Sequence, residues 1–193
     1  MADWTASSNS FVRPYRSAHG GPFIRYYETS TAATASQIKT GDLVQFDTRN
    51  SGATDWRVAR AQSTGGDAAN LLGINGSNLL GVAMNPDESD GSTKGVGTGR
   101  KTGVALFDNQ TEFIGLVRAG AVTSTLTGKV RSLIFDSTLK IWQVDSTNST
   151  AALQTVVITE VPEAYAGDTG APVVFKIYLS SLVHPSVSGS YKA

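Results

Sequence analysis

This 193-residue sequence predicts a mainly β fold, a β-sandwich or β-barrel domain of short antiparallel strands entered through an extended N-terminal arm. Three observations predict it. From Gly41 onward, apolar residues alternate in short runs separated by Gly, Asp, Asn, Ser and Thr. No window in that region sustains the helical apolar period of about 3.6 residues over three turns. Ahead of it, aromatic and cationic residues are interleaved with helix and strand breakers. The expected organisation is an arm over residues 1–38, a β domain over 39–183 and a polar tail over 184–193.

The arm comes first. Phe11–Tyr27 reads FVRPYRSAHGGPFIRYY, with aromatics at Phe11, Tyr15, Phe23, Tyr26 and Tyr27 and cations at Arg13, Arg16 and Arg25. Pro14, Gly20, Gly21 and Pro22 interrupt any helix or long strand, so the segment is not expected to bury those rings by folding alone. Residues 1–27 carry three Arg against one Asp, a net +2, and the remainder sums to −2. An adhesive cationic arm ahead of a polar β body suggests a part that docks. Glu28–Gln37, ETSTAATASQ, reads as a linker or as one or two helical turns.

Nine strands are expected after it, near Asp42–Asp47, Trp56–Ala61, Leu79–Met84, Gly103–Phe107, Glu112–Arg118, Lys129–Phe135, Leu139–Val144, Gln154–Glu160 and Pro172–Leu179. The last shows the period-2 pattern of a half-buried strand, Val173, Phe175, Ile177 and Leu179 on one face and Val174, Lys176 and Tyr178 on the other. DNQTE between Phe107 and Phe113, and DST between Phe135 and Leu139, are short enough for hairpin loops. Two longer connections interrupt the regularity, Ser63–Asn70 and the charged, glycine-dense Asn85–Thr102. Loops beyond about 12 residues are uncommon unless they serve a function or move.

Composition excludes several classes. Charged residues make up 17% and formal net charge is zero, which argues against a nucleic-acid partner held by a phosphate-attracting field. With no cysteine, the chain can hold neither disulfide nor thiolate nor cysteine–zinc site. MADWTASSNS lacks the basic and apolar regions of a secretory signal, and no apolar run approaches the roughly 20 residues of a membrane span, so synthesis in a cytoplasm and no membrane partner are expected.

Catalytic and cofactor motifs are sought without success. GVGTGRKT at Gly95–Thr102 approaches a phosphate-binding loop, but Arg100 stands where the motif needs Gly, and no amphipathic helix follows. Asp87, Glu88 and Asp90 lack the alternating ligands and closing glutamate of a calcium loop. His19 and His184 are the only histidines, so a His-based triad or zinc chemistry would have to be assembled from these two alone, and neither is expected. Nothing singles out a catalytic pair among the sixteen acids. The expectation is no enzyme, no metal and no cofactor. Of Trp4, Trp56 and Trp142, each a candidate sugar-stacking platform, Trp142 lies mid-strand and reads better as core or subunit-interface packing.

Taken in order, RPYRSAHGGPFIRYYETS, then TGDLVQFD, LLGVAMN and finally VVFKIYLSSL resemble a family of tailed-bacteriophage capsid decoration, or cement, proteins. That resemblance implies a homotrimer of β-rich domains on the capsid exterior, bound to the major capsid protein, with extended arms reaching across neighbouring capsomers. Carried over, the docking positions are Arg13, Pro14, Gly20, Gly21, Pro22, Tyr26 and Tyr27. The residue pattern itself adds Phe11, Tyr15, Arg16, Phe23 and Arg25. Asn85–Thr102 and the tail after His184 depart from the family pattern. Two other functions compete: a carbohydrate-binding β-sandwich module using Trp56 or loop aromatics, and a hydrolase whose carboxylates the sequence does not reveal.

Overall fold

The computed structural model describes residues 12–29, 38–46, 57–61, 79–86, 101–108, 110–136, 138–139, 141–147 and 155–177. Within them lie eleven strands: β1 Arg13–Ser17, β2 Ile24–Glu28, β3 Leu43–Phe46, β4 Val58–Arg60, β5 Leu79–Pro86, β6 Lys101–Leu106, β7 Thr111–Leu116, β8 Val130–Asp136, β9 Ile141–Asp145, β10 Val156–Glu160 and β11 Pro172–Ile177. They form a six-stranded sheet in the order β1-β7-β11-β10-β8-β9 and a five-stranded sheet in the order β2-β6-β5-β3-β4, with every strand pair antiparallel. The fold is mainly β. All nine strands expected after Gly41 are present, with described ends shifted by one or two residues.

Two strands arise where breakers argued against them. β1 and β2 fall inside the expected arm, one on an edge of each sheet. Proline is tolerated on an edge strand, and Gly20 at φ +84° turns the chain between the two. Residues 12–29 therefore belong to the β structure, whereas 1–11 and 30–37 lie outside the described residues.

The five-stranded sheet is apolar on both faces. Leu43, Val82 and Ala105 face the six-stranded sheet and join Phe113, Trp142, Val173 and Phe175 in the layer between them. Their neighbours Val44, Ala83 and Val104 point the opposite way and cluster with Ile38, Val58, Tyr27 and Phe46. The sheet buries this second face by curling. Thr29, just past β2, forms a parallel bridge with Val58 of β4, linking the two outer strands, and an Arg57–Glu28 ion pair at 3.5 Å lies beside it. A bridge between Val117 and Val144 likewise draws β9 towards β7 in the other sheet. Full closure is how β architectures remove exposed edges, and these single bridges are a partial form of it.

Two expectations about connections divide. DST is a hairpin: β8 and β9 pair, and Asp136 Oδ1 accepts from Thr138 N and Leu139 N at 2.8 Å each. DNQTE is not, because β6 and β7 belong to different sheets and this loop carries the chain between layers. Asp108 organises it by accepting from the amides of Gln110 and Thr111. β11 also differs from a half-buried strand. It lies between β7 and β10, and Val174 is fully buried along with Val173 and Phe175.

Close approach of backbones fixes one glycine. A Cβ at Gly81 would come within 2.2 Å of the Ala105 carbonyl oxygen, whereas one at Gly21 would meet nothing within 4 Å. Gly81→Ala should therefore lower unfolding stability by about 3 kcal/mol and Gly21→Ala by less than about 0.5 kcal/mol, read from denaturant melts.

Asp42 holds the turn into β3. Its carboxylate accepts from Lys39 N at 2.7 Å, and the backbone of the turn bonds Ala83 on β5. Burial raises the Asp42 carboxyl to about 6, against the pull of the Lys39 amide and of the Arg60 and Lys39 charges. The folded state thus holds this proton more tightly than the unfolded chain. The group's contribution is most favourable below about pH 4, falls as pH rises towards 6, and is level above that. Asp42→Asn should flatten this part of the stability–pH curve and stabilise the protein relative to wild type at pH 7. Parallel melts of the two proteins from pH 4 to 7 measure the difference.

Candidate functional site

The expected docking residues fall where the two sheets meet at their first strands. β1 pairs with β7 with one extra residue, Tyr15, between the pairs Pro14–Phe113 and Arg16–Glu112. Because side chains alternate, an uninterrupted strand would send residues 13 and 16 to opposite faces. The bulge brings Arg13, opposite Ile114, and Arg16, opposite Glu112, onto the same outward face.

On that face Arg16 is held by its own chain. Its guanidinium pairs with Glu112 through Nε and with Glu160 through Nη2 at 2.8 Å, and Lys176 Nζ approaches Glu112 at 4.0 Å. A second bulge, at Thr159 in the β10–β11 pairing, brings Glu160 opposite Val174 on this same face. Burial pushes the Glu112 carboxyl up, but the Arg16 guanidinium and the Lys176 ammonium outweigh it and hold the group below its ordinary value. Arg16, expected among the docking positions, thus has two internal carboxylates. Arg13 and Arg25 have no ion-pair partner among the described residues.

β2 presents the aromatic part. Tyr15 is 49% exposed, Phe23 55%, Ile24 44% and Tyr26 64%, and these are the large hydrophobic side chains that stand exposed among the described residues. The Tyr26 ring lies across Gly103 of β6, its register partner, where a Cβ would come within 3.2 Å of the ring. The Phe23 ring packs against His19, centroids 5.5 Å apart. Tyr27 turns the other way, edge-on to Phe46 at 5.8 Å in the curled sheet's own cluster. Gly20 and Gly21 form the turn, Pro14 and Pro22 are half-buried beside it, and Phe11 lies outside the described residues. Ile24 is the surface residue that sequence reasoning missed. Its signal was the alternation that places it two residues from Tyr26.

The remaining candidates separate readily. Trp142 is buried against Phe135 in the layer between sheets, so it offers no platform to a sugar. Lys101 and Thr102, the end of the phosphate-loop comparison, belong to β6 and pair with Glu28 and Tyr27. Trp4, Trp56, His184, the acidic run at Asp87–Asp90 and residues 95–100 lie outside the described residues. Among the described residues no group of three or more His, Asp or Glu side chains could hold a metal ion, and no helix is long and apolar enough to cross a membrane. Compared with known proteins, the chain matches no family model, no curated protein and no solved structure.

The Arg16–Glu112–Glu160 cluster fastens β1, and its dependence on pH follows from the direction of the Glu112 shift. A depressed carboxyl contributes stability that is fully present above its unfolded value and is lost as pH falls through the folded one. Glu112→Gln should cost about 1–2 kcal/mol at neutral pH and speed amide exchange along β1, and its penalty relative to wild type should vanish in acid below the ordinary carboxylate range. Hydrogen exchange across Arg13–Ser17 at two pH values measures both effects.

Proposed function

We propose that this chain is a non-enzymatic structural protein of a phage virion, a decoration or cement protein that binds the exterior of the assembled capsid, acts as a homotrimer, and grips neighbouring major-capsid subunits through its N-terminal segment. One observation carries the reading. The exposed large hydrophobic side chains among the described residues, Tyr15, Phe23, Ile24 and Tyr26, all fall in the short segment that the family resemblance assigns to docking. Large exposed rings in the same segment as Arg13 and Arg25, which have no ion-pair partner among the described residues, suit a surface that another protein covers.

The energetics agree with that role. A docked aromatic buries about 150–250 Å², worth a few kcal/mol at about 25 cal/mol per Å² before ordering costs. Three copies engaging together raise avidity well beyond one segment's affinity. A protein that binds the assembled shell and not its separated subunits must stabilise that shell by linkage.

Capsids depleted of the protein should rupture at lower temperature than complete ones, and purified protein should restore them. Phe23→Ala with Tyr26→Ala should weaken rebinding by about tenfold or more at every salt concentration, since apolar burial is not screened. Arg13→Ala with Arg25→Ala should weaken it most at low salt. Depleted capsids that survive heating and osmotic shock as well as complete ones would overturn this function.

A further inference from the structure

The two strands at the docking corner treat their outer edges differently. β1 carries Pro14, which has no N–H, and the bulge at Tyr15, both devices that discourage pairing with another chain. β2 carries neither. Its register with β6 runs without a shift from Ile24–Ala105 to Glu28–Lys101.

Which backbone groups β2 leaves open follows from the ladder. Leu106 N donates to Phe23 O, while Phe107 N donates to Leu80 O on the other side of β6. In an antiparallel pair hydrogen-bonded positions alternate, so Arg25 and Tyr27 bond towards β6, and Ile24 and Tyr26 direct their N–H and C=O groups away from it. At the far end the edge is closed, because Arg57 meets Glu28 and Thr29 bridges Val58. Among the described residues nothing pairs with the rest of this edge, a short, regular stretch flanked by exposed Ile24 and Tyr26 side chains.

A second copy of β2 does not fit there. Pairing Ile24 with Tyr26 of another copy would set Arg25 directly against Arg25, an unfavourable like-charge pair. Centring on Ile24 would place Pro22, which has no donor, opposite Tyr26. Centring on Tyr26 would need the edge at Glu28, where Arg57 and Val58 lie. We propose that the β2 edge accepts an extended segment of a different protein by strand addition, with a carboxylate opposite Arg25 and apolar residues beside Ile24 and Tyr26. Backbone bonds would supply affinity, and the alternate side chains specificity. This rests on the capsid reading, with a strand of the shell protein as the occupant.

Proline at position 24 removes an N–H that β6 does not use and that no described residue accepts, but it blocks an added strand. The test compares rebinding of wild type, Ile24→Ala, Ile24→Pro and Arg25→Glu to depleted capsids, with melting temperature as a control. Ile24→Pro should bind at least about tenfold more weakly than Ile24→Ala, and Arg25→Glu about tenfold more weakly than wild type. A second measurement uses wild type alone. The Ile24 and Tyr26 amides should exchange rapidly in the free protein and slowly on the capsid, while Arg25 and Tyr27 are protected in both. This decides the matter even where Ile24→Pro does not fold. Binding of a folded Ile24→Pro equal to that of Ile24→Ala, or Ile24 and Tyr26 amides that stay fast on the capsid, would overturn strand addition and leave the capsid reading standing. Wild type that does not bind the capsid would overturn both.

Discussion

The requirement that the five-stranded sheet bury both of its faces governs the rest of the molecule. Leu43 and Val44, Val82 and Ala83, and Ala105 and Val104 are neighbours in sequence and point into different apolar clusters. One face is covered by the opposing sheet. The other is covered when the sheet bends until Thr29 meets Val58. Bending in turn needs a tight backbone approach, which Gly81 against Ala105 allows. With both faces committed, this sheet has little left to offer a partner except its border, and among the described residues β2 pairs on one side alone.

Side-chain parity then decides what the corner between β1 and β2 presents. Two single-residue bulges, at Tyr15 and Thr159, bring Arg16 and Glu160 onto the face that Glu112 and Lys176 already share. The resulting row of alternating charge crosses four strands and adds to the β1–β7 ladder and the buried Val12 in securing the chain's first described strand. β2 needs no such row. It is held by a regular ladder, the Tyr26 ring over Gly103, and Tyr27 packed into the curled sheet.

Much of this was legible from alternation alone. The nine strands after Gly41 announce themselves because half-buried strands must repeat every two residues, and tight turns draw on Gly, Asp, Asn and Ser. What one chain's local pattern cannot carry is partner choice. DNQTE has hairpin length, yet it joins two layers, since loop length limits distance and not which sheet receives the next strand. Pro14 and the Gly20–Gly21 pair read as breakers because that is their effect inside an element. At a border and in a turn the same residues are compatible with β1 and β2. Tyr15, Phe23 and Tyr26 were legible as notable aromatics from chemistry alone, and they stand exposed. Arg16 and Tyr27 were not separable from them, because their partners Glu112, Glu160 and Phe46 are distant in sequence. Ile24 lacked the aromatic or charged character that drew attention to its neighbours.

The segment with the exposed aromatic side chains is stitched to both layers, β1 into one sheet and β2 into the other, with Gly20 and Gly21 spanning the gap. A tensile load applied at that turn is therefore divided between two hydrogen-bond ladders. Where the load runs along a strand it drags that ladder lengthwise in shear, so its bonds resist together, whereas a single hairpin peeled from its tip would yield one bond after another. The anchorage is mechanically that of a strap riveted to two plates. Its toughness comes from where the strap is fastened, and the strap itself can stay short.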